Sequence, residues 1–497
     1  MVRATQLNIA IFVPFKVSSL KQKDQWGSDQ RYIYIIKNTQ FNKHKLETLP
    51  SIMKFANYIS KYVAIFILAS IVVCEEDDDD EMNYKYDCGE EQNSNNMNSC
   101  SIQGMMHHKD KYEVFVIESS NNYFIRQYFE QNQQTWNIIK KSTQSSSLDL
   151  VIINENIDWK IVNDHVIISV WPLSNQFYNK ANFYKNAEKL HRSGKIGELS
   201  INDVMPLTYF IDMNLPKFSD EEKEFFRVHK SGVWIKKPVE DHRCKGIEVF
   251  DDLKQFQLKV GKNKPFKKQN YPQDKKSWIV QKYIENSLLI EGRKFDVRCF
   301  VLVASFDPYV LLYHPGYVRR SLEQFSLQDL SNKFIHCVNQ SVQMKHKNYQ
   351  QRKLETIWTY EHFENWLKQN NQNPLQIEEN MKKRLAYSAL GQKEFVTTGK
   401  RQLHINKFQL FGADVSFDDK YTPYVIEFNE EVYLGQYHIP DLDVIFKQVV
   451  KSMLQIEQNH MKYHKIPHYY FSSPQFLEDM GKFQILYNEA TNYSIIQ

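Results

Sequence analysis

The sequence predicts a mixed α/β fold in which helices cover more than one sheet. Three observations predict it. From Tyr112 onward, short apolar runs of strand character alternate with stretches of helical periodicity. Two pairs of long strand-like runs, 294–305 with 309–320 and 407–417 with 424–429, carry polar side chains on one face. The composition is globular, 42% hydrophobic and 25% charged over 497 residues. These figures exclude a wholly disordered, collagen-like or many-spanning membrane chain. A formal net charge of +4 gives no argument for a nucleic-acid partner. Six cysteines without a CxxC pair form neither a disulfide framework nor a zinc site.

Residues 1–104 read as an N-terminal extension. Residues 62–74 (YVAIFILASIVVC) are continuously apolar, shorter than the ~20 residues a spanning helix needs. Read from Met53, this segment has the basic start, apolar middle and polar exit of a secretory signal. A signal or membrane anchor and an uninserted tail both fit it. Acidic residues 75–81 and an Asn/Ser-rich stretch, 92–101, follow as a solvated linker.

The fold elements then come in order. Residues 112–118 (YEVFVIE) predict a strand, followed by a helix to about Gln133; 149–153 and 165–170 predict short strands. Residues 180–193 predict a helix stopped at Gly194, and an N-terminal α/β domain, 105–205, closes near Pro206. A central domain, 206–290, holds strands at 232–238 (GVWIKKP), 246–250 and 278–284 (WIVQKYI). Lysine-rich residues 256–276, with Pro265 and Pro272, are expected to be a long exposed loop. A C-terminal domain, 291–480, holds the four long strands, a helix at 375–390 and a closing helix at 441–454; 481–497 is a tail.

Side chains alternate across a strand, so Lys294, Asp296 and Arg298 share one face and Phe295 and Val297 the other. The same strand continues into CFVLVAS, which reads as interior. Charges on a buried strand are costly unless paired, so this face should line a polar cleft. Glu427 and Asn429 share a face of YVIEFN, and a hairpin would bring Asp414 of FGADVSF opposite Glu427. Three converging oxygen donors suit a hard cation such as Mg²⁺. Lys237 precedes a turn ending in Lys245-Gly246, where a lysine can hold a phosphate. Gln281, Lys282, Tyr283 and Ile284 form a strand end whose backbone can meet an adenine edge. Arg319, His336 and Asn339 draw no notice alone.

Taken together, these segments resemble the tubulin tyrosine ligase-like family of ATP-grasp amino-acid ligases. The resemblance runs through WIKKP, KGI, VQKYI, GRKFDVR, GYVRRS, HCVNQSV, FQLFGADVSFDD and YVIEFN, over residues 110–460. It implies an ATP-grasp fold: an N-terminal α/β domain, with central and C-terminal mixed-sheet domains clamping ATP. It implies an ATP- and Mg²⁺-dependent ligase acting on acidic tubulin tails. Lys237 would match the phosphate-binding lysine and Gln281, Lys282, Tyr283 and Ile284 the adenine hinge. Lys294, Asp296, His336 and Asn339 would match nucleotide contacts. Arg298 and Arg319 would match catalytic arginines near the reacting carboxylate, and Asp414, Glu427 and Asn429 the metal ligands.

The stretch from Ile284 to Arg319, with residues 355–367, is most similar to the polyglycylase branch. That implies free glycine as co-substrate, tubulin or microtubules as partner, and a cytoplasmic, cytoskeletal and ciliary location. A glutamylase, a tyrosine ligase, a catalytically weak tail-binding protein and a small-molecule ATP-grasp ligase are the alternatives. Three departures stand out from the family pattern: Cys244 in place of a glycine, Val338 in place of a threonine, and Glu430-Glu431-Val432 without a following proline.

Overall fold

The computed structural model describes residues 10–11, 34–35, 110–116, 119–139, 148–152, 166–169, 175–194, 199–265, 277–397, 407–462 and 466–496. Ala10–Ile11 and Tyr34–Ile35 pair antiparallel within a unit of their own, Met1–Met97. All other described elements belong to a second unit, Asn98–Gln497. The apolar run 62–74 and the acidic and Asn/Ser-rich stretches expected after it lie outside the described residues. No described helix is long and apolar enough to cross a membrane.

Among the described residues three sheets build the second unit, so the mixed α/β expectation holds. The first is parallel, in the order Trp136–Ile139, Tyr112–Val116, Leu150–Ile152, Ile167–Ile168. The second is antiparallel, in the order Thr208–Ile211, Trp278–Lys282, Trp234–Pro238, Glu248–Phe250. The third is the large one. Its antiparallel path runs Pro423–Asn429, Gln409–Phe417, Arg293–Phe306, Tyr309–Arg320, Gln484–Asn488, Tyr493–Ser494.

The Arg293–Phe306 strand explains the layering. Its odd positions, Phe295 through Val303, face a core shared with the Pro374–Thr397 helix. Its even positions change character along the strand. Phe300, Leu302 and Ala304 join a second core under the Pro440–His460 helix. Lys294, Asp296 and Arg298, on that same face, lie beyond the edge of this core and are buried as charges.

The expected loop over 256–276 requires correction. Leu253–Asn263 is a helix. Asp252 caps it, its Oδ1 accepting from the Gln255 N–H at 2.9 Å. Leu253, Phe256 and Val260 recur at helical spacing and are buried against Phe225, Trp234 and Val280. The lysine count masked that periodicity; residues 266–276 lie outside the described segments. The helix expected at 375–390 extends over Pro374–Thr397, and the one at 441–454 over Pro440–His460. The latter does not close the chain, because Gln484–Asn488 returns to pair with Tyr309–Arg320.

Helix Lys180–Arg192 lies against helix Pro374–Thr397 at very short range. A Cβ at Gly391 would stand 2.8 Å from the Ala187 Cα, so glycine sets the approach. Asn186 donates to Gln392 Oε1 at 2.8 Å across the same contact. The N-terminal end of helix Lys180–Arg192 is thereby fixed beside the large sheet.

Leu486 of the Gln484–Asn488 strand is fully buried in the core beneath the Pro374–Thr397 helix. Leu486→Ala is expected to lower the free energy of unfolding by about 3 kcal/mol in urea denaturation. A loss below about 0.5 kcal/mol, the usual range for surface substitutions, would show that this terminal strand does not belong to the core.

Candidate active site

Strand register assembles the site. Asp296 lies opposite Arg319, Arg298 opposite Asp414, and Asp414 opposite Glu427. The hairpin expected to join Asp414 to Glu427 is present with that pairing. Arg319 grips Asp296 through Nε at 2.7 Å and Nη2 at 2.5 Å. Arg298 grips Asp414 through Nε at 2.5 Å and Nη2 at 3.1 Å. Arg319 Nη2 also reaches Asp414 Oδ2 at 2.8 Å, which links the two forks into one network. Burial pushes the Asp414 carboxyl up, but the two guanidinium groups outweigh it and hold the pKa at about 2. Gly412 makes room for this arrangement: a Cβ there would lie 3.1 Å from Arg298 Nη1 and 3.2 Å from its Cδ.

A cleft opens above this network, lined by residues of the central and large sheets. Of the residues singled out in the sequence, Lys237, Gln281, Lys282, Tyr283, Ile284, Lys294, Asp296, Arg319, His336, Asn339, Asp414 and Glu427 line it. Arg298 and Asn429 do not. Arg298 acts through Asp414, while Asn429 donates to the Gly412 carbonyl at 3.3 Å and Glu427 Oε1 at 3.4 Å.

Two buried lysines set the electrostatics. Lys237 donates to Gln281 Oε1 at 2.7 Å, and Gln281 in turn donates to Thr208 Oγ1 at 2.9 Å. Lys294 donates to Ser287 Oγ at 2.9 Å. Both hydrogen-bond partners are neutral, so among the described residues neither ammonium is matched by a carboxylate in direct contact. Burial lowers both lysines to about 8, partly opposed by Glu427 at Lys237 and by Asp296 at Lys294. An anion entering the cleft would supply the missing countercharge.

The other expected contacts serve narrower roles. Gln281 orients Lys237 with its side chain. The Lys282 ammonium is tied to Glu285 and the Val233 carbonyl. Tyr283 OH pairs with His336 Nδ1 at 2.7 Å, and His336 Nε2 meets the Asp329 carbonyl at 3.0 Å. A carbonyl only accepts, so Nε2 carries the proton and Nδ1 accepts from the tyrosine. Burial lowers the His336 pKa, consistent with that neutral ring. Asn339 spends its side-chain oxygen capping helix Gln340–Gln343, accepting from Ser341 N at 3.0 Å and Ser341 Oγ at 2.9 Å. The Val338 side chain, all carbon, lines the cleft.

Sequence reasoning missed Lys180. It is buried at the start of its helix, donates to the Asp241 carbonyl at 2.9 Å and stands 3.5 Å from Glu427 Oε2. Only tertiary packing joins residue 180 to residue 427, so no local signal marks it. Asp241, His242 and Arg243 also line the cleft.

The oxygens of Glu427, Asn429 and Asp414 suit a hard cation by donor type. Glu427 is best placed, with its side chain 23% exposed to the cleft. Asp414 already accepts from two guanidinium groups and would have to share its oxygens. Among the described residues no group of three or more His, Cys, Asp or Glu side chains stands ready for a metal. The fit therefore rests on Glu427 and Asn429, with Asp414 as a shared donor.

A model of the tubulin-tyrosine ligase family matches residues 160–465, more than half the chain, and spans this entire cleft. The chain belongs to the tubulin-tyrosine ligase family. It is 28% identical over 323 residues to a probable tubulin polyglutamylase from Homo sapiens, covering 63% of this chain and 48% of that relative. It is 29% identical over 241 residues to tubulin glycylase 3D from Tetrahymena thermophila, covering 46% and 21%. It is 27% identical over 349 residues to a tubulin monoglutamylase from Mus musculus, covering 65% and 27%. The chain thus spans about half or less of the length of these relatives.

Lys237 and Lys294 are the buried ammonium groups that a polyphosphate entering this cleft would meet. Both are charged below about 8 and neutral above it, a depressed range for lysine. Affinity for a nucleotide triphosphate is expected to fall as pH rises through 8, by roughly tenfold per lysine one unit higher. Calorimetric titration checks this; an affinity flat across that range would remove both lysines from phosphate binding.

Proposed function

We propose that the protein is an ATP-dependent ligase that joins free amino acids to glutamate side chains, or to chains growing from them, on tubulin tails. The observation carrying this reading is the pair of buried ammonium groups, Lys237 and Lys294, that line one cleft and that no described carboxylate contacts. That arrangement calls for a polyanion.

In this reading Lys237 and Lys294 bind phosphate oxygens, and Lys180 positions Glu427 and the 241–244 turn. The Tyr283–Ile284 strand end borders the adenine. The attacked tail carboxylate is a poor electrophile, and phosphoryl transfer from ATP converts it to an acyl-phosphate. Arg319, whose guanidinium lines the cleft, stabilises the charge that gathers there. Arg298 holds Asp414 and through it keeps Arg319 in place. Mg²⁺, held by Glu427 and Asn429 with Asp414 sharing, would neutralise the transferring phosphate. The amine of the free amino acid then displaces phosphate and forms an amide or isopeptide bond. Acidic tails would be steered by the lysines of the 253–276 segment, and the work would take place on cytoplasmic and ciliary microtubules.

Glycine is the proposed co-substrate, supported by the likeness of residues 284–319 to polyglycylases. Glutamate is the second reading. It is favoured by the longer stretches over which the glutamylase relatives match, 323 and 349 residues against 241 for the glycylase.

The test supplies the full chain with ATP, microtubules and glycine, glutamate or tyrosine in turn, and weighs the tails by mass spectrometry. Addition of glycine is expected, and Glu427→Gln should reduce the rate on the order of 100-fold. Addition of glutamate alone would replace the glycine assignment. Microtubule binding without any tail modification would reject the ligase reading.

A further inference from the structure

One of the sequence departures, Cys244, meets a second cysteine in space. Cys244 sits in the turn after the Trp234–Pro238 strand, and Cys337 follows helix Lys333–His336. They are 93 positions apart, yet both line the nucleotide cleft. The two thiols are near enough to interact directly. Both are free, Cys337 buried and Cys244 half-buried. The other described cysteine, Cys299, lies in the core against Met381 Sδ at 3.8 Å, away from this pair.

The backbone around the pair is unusual. Arg243 and Cys244 both hold φ of +57°, in the left-handed region that favours glycine. A side chain retained there at a conformational cost points to a use for the thiol rather than to packing.

We propose that Cys244 and Cys337 form a reversible disulfide across the cleft, a redox modification site that shuts nucleotide out. The oxidant is a peroxide. The Cys337 sulfur attacks one peroxide oxygen, the O–O bond breaks, and water leaves, giving a sulfenic acid. The Cys244 sulfur then attacks that sulfur and expels the second water. The pair gives up two electrons and two protons, and hydrogen peroxide becomes two waters. A dithiol reductant reverses the step by thiol–disulfide exchange. The bond would tie the 241–246 turn to the 336–339 segment over the space the phosphates enter. This closure rests on the nucleotide reading above, whereas formation of the bond does not.

The experiment treats the full-length protein with hydrogen peroxide, maps disulfides by peptide mass spectrometry, and measures ATP affinity before oxidation, after it, and after dithiothreitol. A linked Cys244–Cys337 peptide is expected, with at least tenfold weaker ATP binding that the reductant restores. Cys244→Ser and Cys337→Ser should each abolish the linked peptide and the peroxide response. As a measurement independent of those variants, the reduced wild-type protein should bind phenylarsine oxide, a probe for paired thiols, and lose that binding on oxidation. Peptides that stay unlinked, or a linked peptide with unchanged ATP affinity, would overturn the proposal. Reduced protein that binds no ATP but still forms the linked peptide would instead overturn the ligase reading and keep the disulfide.

Discussion

The buried ionic network of Arg319, Asp296, Arg298 and Asp414 is the constraint on which the rest of this structure depends. Four charges on three adjacent strands lie out of water and in mutual contact. Desolvating them is expensive, and the expense is offset only while every fork keeps its partner. Removing one member leaves an opposite charge buried and unmatched. The network therefore ties one strand register to the cleft floor, and its forks hold Arg319 at the cleft. The two lysines above it are held differently, by amide and hydroxyl oxygens that orient the ammonium without neutralising it. A floor of paired charge beneath two ammonium groups held by neutral oxygens is an arrangement that suits an anion.

Much of this was legible in the sequence, for an identifiable reason. Residues 293–298 and 424–429 alternate with period two, and that pattern says which side chains share a face before any partner strand is known. The pairing of Asp414 with Glu427 followed from two strands joined by a short turn. Less legible was anything carried by tertiary packing. Lys180 enters the cleft because helix Lys180–Arg192 docks through Gly391, a contact between positions 204 apart. The Leu253–Asn263 helix was hidden because its lysines drew more weight than the spacing of Leu253, Phe256 and Val260.

Motif identity also proved an incomplete guide to role. Asn339 stands in a segment matching the family pattern, but its side-chain oxygen is committed to a helix cap. Gln281 matches a hinge position, but its amide orients Lys237. Arg298 and Asn429 sit behind the cleft wall and act on residues that line it. Each belongs to the site through what it holds in place.

The strand from Arg293 to Phe306 carries charges on the same face that, a few residues later, carries Phe300, Leu302 and Ala304. A slip of one position in pairing would turn every side chain to the opposite face. Lys294, Asp296 and Arg298 would then press into the core beneath helix Pro374–Thr397, and Phe295 and Val297 would open to solvent. Such a misaligned sheet carries its own penalty and should dissolve rather than persist. The residues that make the cleft polar thus act during folding as a proofreading device for the sheet that bears them.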